Sequence, residues 1–588
     1  MKKRQAATQK ISAGYRYWCA VSVLAVLFVV IAGRVVGLQV FDHDFLNGQG
    51  DARILRVEEV NAYRGMILDR HSEPLAVSTP VVSIWANPRQ VSDAAAAAEL
   101  LAQPLGLSVK ALQQRLLVKG NRGFVYLKRQ MTPARAEQVM AMSLPGIHSE
   151  REFRRYYPSA EVAAHLVGFT NIDDQGQEGL ELAYDEWLHG EAGKKRVLKD
   201  RNGHIIKDLQ ELKSEKSGQN LNLSIDLRLQ YLAYRELKAA VEKHQAKSGH
   251  MVLLDAQTGE VLAMVNQPSY NPNNRATMNH TNLRNRAITD VFEPGSTVKP
   301  LTVAAALESG KFTTASEINT APGYLRVGRH VIRDHRNYGT IDLAALISKS
   351  SNVGASKLAL AMDAENVLSM FRDAGLGQGT GSGFPGERSG LLPYHSQWHD
   401  IETATLSYGY GVSVTTLQLA QAYTAFANGG EVKPVSLLRQ DKAAQGRQVM
   451  SANTASALLG MLESVVQAGG TGTRASIPFY RVAGKTGTVH KLSAGSYQDD
   501  QYLALFAGLA PASNPRVVAV VVIDEPKGAE YYGGEVAAPV FSTVVAGALR
   551  LMNVSPDAVT PTERVVLGAL QQGRAETPVV KKNQGHRS

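Results

Sequence analysis

Apolar positions along the chain form one unbroken block and then a series of shorter periodic runs. The block runs from Tyr17 to Gly33 and continues past Arg34 through Val35, Val36, Gly37, Leu38 and Val40. About 20 largely apolar residues cross a bilayer as a helix, and an arginine near the end can extend its head group to the interface. Lys2, Lys3, Arg4, Lys10 and Arg16 precede the block, and Asp42 and Asp44 follow it. That asymmetry predicts a cytoplasmic N-terminus and an exported body beyond Phe41. A cleaved signal peptide is the competing reading, but the block is long for one and no A-x-A site follows it.

Behind the block, ARILRVEEV and VVSIWANP flank RGMILDRHSEPLA between Ala52 and Pro88, which reads as strand, turn and strand. Ser92 to Leu105 is alanine-rich and helical in pattern, and Thr132-Pro133 reads as N-cap and first residue of a helix in the segment ending at Pro145. Between Tyr157 and Gly203, glycines punctuate YPSAEVAAHLVG and GQEGLELAYDEWLHG without a period, so an elongated, irregular module is expected. A second domain starts near Leu221. LNLSIDLRLQ leads into a helix through about His244, and MVLLDAQTGEVLAMV reads as two strands around a Gly259 turn. RVAGKTGTV, QYLALFAGLAP and RVVAVVVIDEP add three strands, the last apolar throughout, as for a strand buried on both faces. Helical patterns such as LQLAQAYTAFANG and TASALLGMLESVVQAG lie between them. The chain is therefore expected to be α+β: helices around a five-stranded, mostly antiparallel sheet at 221–555. Before it come a cytoplasmic tail (1–17), a transmembrane helix (18–40) and a mixed α/β pedestal (42–220). After Pro556 the pattern is lost, and a disordered tail is expected at 556–588.

Composition adds limits. At 588 residues the chain is too long for one core, and 20% charged against 44% hydrophobic residues excludes general disorder. The formal net charge is +10, but Lys and Arg are scattered without a nucleic-acid motif, so no nucleic-acid partner is expected. Cys19 is the single cysteine, which excludes an intrachain disulfide and a cysteine metal cluster.

The candidate chemistry begins at FEPGSTVKP, where Ser296 and Lys299 stand three apart at the expected start of a helix. Residues at that spacing share a face. A serine hydroxyl needs a base, and a lysine whose pKa is lowered by burial or a neighbouring cation can be one. The helix N-terminus also favours negative charge developing on an attacked carbonyl. Alone, the pattern is weak and is better read as a capping serine beside a solvated lysine. KSSNVG then supplies Ser350 and Asn352 in S-x-N spacing, and AGKTGT supplies Lys485, Thr486, Gly487 and Thr488. Together and in order, S-x-x-K, S-x-N and K-T-G are the signature of penicillin-binding proteins and serine β-lactamases.

Beyond these motifs, RGMILDR, YPSAEVAAHLVG and GQEGLE resemble the pedestal motifs of class B penicillin-binding proteins, and no glycosyltransferase region precedes the catalytic domain. SYGYG (407–411), YYGG (531–534) and APVF (538–541) resemble the cell-division members of that class. The resemblance implies a D,D-transpeptidase of the bacterial inner membrane, with a periplasmic catalytic domain, acting on peptidoglycan stem peptides and inhibited by β-lactams. It implies Ser296 as nucleophile, Lys299 as its base and Ser350 as proton carrier. Asn352, Lys485, Thr486 and Thr488 would bind substrate, and the backbone N–H groups of Ser296 and Thr488 would form the oxyanion hole. It implies neither cofactor nor metal; a membrane glycan polymerase and other division proteins are the implied partners. Two alternatives remain at this point: a hydrolase with the same acyl-enzyme chemistry (a D,D-carboxypeptidase or β-lactamase), and a non-enzymatic scaffold or β-lactam sensor. The long pedestal argues against a compact β-lactamase, and the intact motif set argues against a vestigial site.

Other signals are weaker. GLGQGTG (375–381) fails the G-x-G-x-x-G spacing and reads as a loop, and His395 with His399 lacks a third ligand. Trp85 reads as core. Tyr408 and Tyr410 are candidates for the substrate cleft or for packing, and Val489-His490 leaves the mouth of the site beyond the strand undefined.

Overall fold

The computed structural model describes residues 8–45, 55–117, 123–199, 205–493 and 496–558. The tail expected from residue 556 lies, beyond residue 558, outside the described residues, as do the first seven residues. Helix α1 (Thr8–Val36) continues as a π-helical turn to Phe41. Gly14–Phe41 spans 28 residues whose most apolar window has a mean hydropathy of 2.6 and is not buried, which fits a single-pass membrane helix.

The chain divides into two compact units whose boundaries cross the linear order. One comprises the segments up to Tyr63, Pro80–Phe153 and Gly190–Ser217; the other comprises Arg64–Thr79, Arg154–His189 and the chain from Gly218 onward. The first unit contains β1 (Leu55–Val60), the second half of β2 (Pro74–Ala86), helices α2 (Ala94–Leu105) and α3 (Val109–Leu116), β3 (Val125–Met131), α4 (Pro133–Met140) and most of β4 (Ile147–Tyr156). Asp93 caps α2 by accepting from the N–H groups of Ala95 and Ala96. Pro133 does open α4, but the Thr132 side chain makes no capping bond and the helix stops at Met140. Ile84, Leu101, Leu112, Leu127 and Val139 build this unit's core. Trp85 is half-buried and packs on the rings of Phe124 and His148. β5 (Gly193–Lys199) pairs antiparallel with β1 and with β6 (Ile205–Lys213).

The second unit carries the five-stranded sheet. After α5 (Leu227–Lys243) come β7 (Ser248–Asp255) and β8 (Val261–Gln267). The site-bearing helices follow: α6 (Lys299–Glu308), α7 (Leu343–Lys349), α8 (Asn352–Leu360), α9 (Thr416–Ala427) and α10 (Ala452–Val466). Then β9 (Ala483–Ser493), β10 (Ser496–Ala510), β11 (Val517–Asp524) and α11 (Ala538–Leu551) complete the unit. The strand order is β8-β7-β11-β10-β9, every pair antiparallel. Side chains alternate across a strand, so each face needs a cover. Met251, Leu253, Val521 and Phe506 pack with α5 and α11, while Val252, Leu254, Val520 and Leu505 belong to the core shared with α6 and α9. Coverage of both faces explains why VVAVVVI lacks alternation. Gly533–Leu551 is apolar enough to span a membrane, yet Phe541, Val544, Val545 and Leu549 are buried here as core.

The stretch from 157 to 189, which lacks periodicity, forms short helices, among them Ala164–Val167, Gly179–Ala183 and Asp185–Leu188, and a small antiparallel pair, Phe169–Thr170 with Gly176–Glu178. Buried ions organise it instead. Arg64 Nε donates to Glu181 Oε2 (2.8 Å), Arg64 Nη1 to Asp185 Oδ1 (2.7 Å) and Arg155 Nε to Glu181 Oε1 (2.6 Å).

Candidate active site

Ser296 does not open an α-helix. It sits in a 3₁₀ turn, Gly295–Val298, and α6 begins only at Lys299 with Pro300 in its first turn. A 3₁₀ turn has three residues per turn, so positions i and i+3 still point the same way. The turn is held from several sides. Gly295 N–H donates to Gly409 O (3.2 Å), Tyr423 Oη to Thr297 O (2.7 Å), and Thr302 Oγ1 to Ser407 O (2.7 Å). The SYGYG segment therefore grips the serine turn from behind. Gly409 has to be glycine there: at φ +88° a Cβ would also stand 2.2 Å from Gly295 O. Across the turn, Gly487 of β9 lets the K-T-G strand approach, since a Cβ would meet Thr297 Cγ2 at 3.0 Å.

The two lysines meet at one hydroxyl. Lys299 Nζ donates to Ser350 O (2.6 Å) and Asn352 Oδ1 (2.7 Å) and lies 3.2 Å from Ser350 Oγ. Lys485 Nζ lies 3.0 Å from the same Ser350 Oγ and donates to Thr486 O (3.0 Å). Both lysines are 0% exposed. Burial, with the Lys485 charge beside it, holds the Lys299 pKa well below the usual lysine range, with Asp334 pulling the other way. Burial also lowers Lys485, to about 7.

Ser350 reaches both amines from a strained position. It ends α7 with φ +60°, a left-handed conformation costly for a residue with a side chain. Ser351 then caps α8, its Oγ accepting from Gly354 N–H. Asp334 fixes this junction: its carboxylate accepts from Ser351 Oγ (2.6 Å), Asn352 N–H (2.6 Å) and Val353 N–H (3.0 Å), where a helix N-terminus favours an anion. Asp334 escapes sequence reading because it is a single acid in RDHRNYG with no motif spacing around it.

Ser296, Ser350, Asn352, Thr486 and Thr488 all open into one cavity of about 610 Å³. Thr486 and Thr488 share a face of β9, opposite Phe506 and Ala504 of β10. Thr488 Oγ1 accepts from Gly533 N–H (3.0 Å), and Thr486 Oγ1 lies 2.8 Å from Thr471 Oγ1. Tyr408 and Tyr410 line the cavity, their rings edge to face at 5.6 Å. Beyond Thr488, β9 carries His490 opposite Tyr502, and a stack of His490, Tyr502, Tyr531 and Tyr532 forms the rim, with successive centroids 4.7, 4.5 and 4.4 Å apart. YYGG thus contributes two rim tyrosines. Of the weaker signals, GLGQGTG is a loop whose Thr380 N–H and hydroxyl bond the Glu387 carboxylate, an arrangement hostile to phosphate. His395 packs edge-on against Trp398 at 4.7 Å.

A buried amine beside a second cation, a shared hydroxyl and a serine on the same cavity can carry out acyl transfer through a serine ester. Comparison with known proteins points the same way. Residues 249–546 match the penicillin binding protein transpeptidase domain and residues 59–223 the penicillin-binding protein dimerisation domain. The peptidoglycan D,D-transpeptidase FtsI of Escherichia coli (strain K12) is 46% identical over 568 residues, 96% of this chain and 96% of that one. A probable peptidoglycan D,D-transpeptidase, PbpC, of Pseudomonas aeruginosa is 44% identical over 92% of this chain and 96% of its own. Among solved structures, the apo TP domain of penicillin-binding protein 3 from Burkholderia pseudomallei is 44% identical and covers 57% of this chain and 97% of its own, with a TM-score of 0.53. A peptidoglycan synthetase from Bifidobacterium adolescentis covers 86% of this chain and 98% of its own at 25% identity, with a TM-score of 0.68.

Proposed function

This chain belongs to the penicillin-binding transpeptidases and is a peptidoglycan D,D-transpeptidase of the cell-division type, and we propose that Ser296 is its nucleophile and Lys299 the base. The carrying observation is the placement of the Lys299 amine: buried, 2.6 and 2.7 Å from two carbonyl oxygens, with a second lysine on the far side of Ser350. A neutral amine has two N–H groups and one lone pair. Ser350 O and Asn352 Oδ1 take the two N–H groups, and the lone pair, with Ser350 Oγ 3.2 Å away, is the site that receives the Ser296 proton and passes it to Ser350.

Acylation then proceeds as follows. Ser296 Oγ bonds the carbonyl carbon of the penultimate D-alanine while its proton moves to Lys299 Nζ. The oxyanion is held by the backbone N–H groups of Ser296 and Thr488. As the peptide C–N bond breaks, the leaving amine of the terminal D-alanine takes a proton from Lys299 through Ser350 Oγ. Lys485, Thr486 and Thr488 bind the terminal carboxylate and Asn352 the acyl chain's amide. An amine from a neighbouring stem peptide then gives up its proton by the reverse route and attacks the ester, forming the cross-link and freeing Ser296. A β-lactam enters by the same first step, but its leaving amine stays tethered.

The apolar helix Gly14–Phe41 anchors the chain with its N-terminus in the cytoplasm and its catalytic unit outside the inner membrane, at the septum. Lys10 before the span, Arg16 in its first turn, and Asp42 and Asp44 after it support that orientation. The span and the 42–220 pedestal are the surfaces through which a membrane glycan polymerase and other division proteins would engage the domain at 221–555. Intact-protein mass spectrometry with a slow β-lactam tests the core of this reading. A long-lived adduct on the peptide containing Ser296, absent in Ser296→Ala, is the expected result. Rapid turnover of the drug would favour a hydrolase, and no adduct would remove the enzymatic reading.

A further inference from the structure

The loop between α10 and β9 brings a hydroxyl to the site that the three motifs leave out. Thr471 Oγ1 lies 2.8 Å from Thr486 Oγ1, and both side chains open into the cavity that holds Ser296. We propose that Thr471 is a positioning residue: its O–H donates to Thr486 Oγ1 and thereby aims the single proton of Thr486 at the carboxylate of the bound stem peptide or β-lactam. This rests on the reading of Thr486 as a donor to that carboxylate.

Proton accounting gives the direction. A hydroxyl has one proton and two lone pairs, whereas a carboxylate can only accept. Lys485 Nζ is 3.0 Å from Thr486 O and 3.0 Å from Ser350 Oγ but 3.5 Å from Thr486 Oγ1. Two of its N–H groups are thus taken at 3.0 Å and its contact with Thr486 Oγ1 is the long, weak one, so Thr471 at 2.8 Å is the closest hydrogen-bond neighbour of Thr486 Oγ1. Once a carboxylate arrives, Thr486 has to donate to it, and the Thr471 proton fills the lone pair behind. The chain O–H···O–H···O⁻ then runs one way, each bond polarising the next.

The backbone under Thr471 is fixed well enough to hold that geometry. Lys349 Nζ donates to Gly469 O (2.7 Å), Gly470 N–H to Gln467 O (2.9 Å) and Gly472 N–H to Val465 O (2.9 Å). From the other side, the turn at Gly533–Val536 closes against the loop, and a Cβ on Gly534 would stand 2.2 Å from Thr471 O. Lys349 belongs to the KSSN segment, so the S-x-N element and this loop are tied to each other as well as to K-T-G.

The test compares acylation rates of the full-length protein in detergent by benzylpenicillin and by its methyl ester, which lacks the negative carboxylate. In Thr471→Val the ratio of the two rates falls roughly five- to tenfold, the size of one hydrogen bond to a charged chain, while Thr471→Ser keeps the ratio within about twofold of wild type. A Thr471→Val ratio equal to wild type overturns the proposal, whether both rates are unchanged or both fall together through a structural defect; thermal melting separates those two cases. Thr486→Val is the control for the underlying reading. If its ratio drops and that of Thr471→Val does not, only the role of Thr471 fails; if its ratio is unchanged, the carboxylate subsite fails and this proposal with it.

Discussion

Two buried charge clusters in the same unit solve opposite problems. Around Glu181, charges alternate: Arg64, 1% exposed, and Arg155 both bond a carboxylate that is 0% exposed, and Asp185 takes a further Arg64 N–H. Around Ser350, like charges are forced together: Lys299 and Lys485 are 0% exposed, and neither has a carboxylate in salt-bridge contact in the geometry described. In the first cluster each ion has its counterion, so the arrangement holds the chain in place. In the second, desolvation and repulsion both act against the ammonium form, so one lysine has to give up its proton. Matched buried ions organise a fold; mismatched ones prepare a base.

That contrast can be broken by exchanging the two behaviours. Lys299→Met should lower β-lactam acylation by ~10⁴-fold, at the upper end for loss of a general base, while the thermal unfolding midpoint holds or rises because an unfavourable buried amine is gone. Glu181→Gln should do the reverse. It leaves buried Arg155 without its counterion and Arg64 with Asp185 alone, and should cost ~3–5 kcal/mol in unfolding, with acylation below the unfolding transition within about threefold of wild type. Asp334→Asn, measured by the same acylation assay, should lose roughly ten- to thirtyfold, because bonds to a charged acceptor at the Ser351–Val353 junction become bonds to a neutral one. A fourth effect is on the pH dependence of stability. Burial lowers the Lys485 pKa to about 7 from the ordinary lysine value of 10.5, so between those limits the unfolded chain binds the proton that the native chain does not. Native stability should therefore rise with pH across that window, and the rise should be shallower in Lys485→Met when both are followed by denaturant unfolding.

How far each cluster could be read from the chain follows the same divide. Ser296, Lys299, Ser350, Asn352, Lys485, Thr486 and Thr488 stand in three short motifs whose spacing is itself chemical information, and the strand that carries K-T-G is legible as RVAGKTGTV. Asp334 and Thr471 have no such spacing. Each acts through a loop that becomes adjacent to the motifs only after folding, so nothing local marks it. Arg64 and Glu181 lie 117 positions apart, and the segments they anchor have little period of their own. The interleaved division of the chain into two units is invisible for that reason: the apolar pattern shows which residues want burial, and long-range ion pairing decides where the irregular segments go. The serine turn adds a subtler case, since the helix start expected at Ser296 is a 3₁₀ turn forced by its packing on Gly409 and Tyr423.

The protonation state of Lys299 carries the whole account, and it can be observed directly. In protein labelled with ¹³C at lysine Cε, the Lys299 signal, assigned by its loss in Lys299→Arg, should titrate well below the ordinary lysine range and move upward in Lys485→Met. A Lys299 signal titrating near 10.5 in the wild-type protein, indifferent to residue 485, would contradict the account.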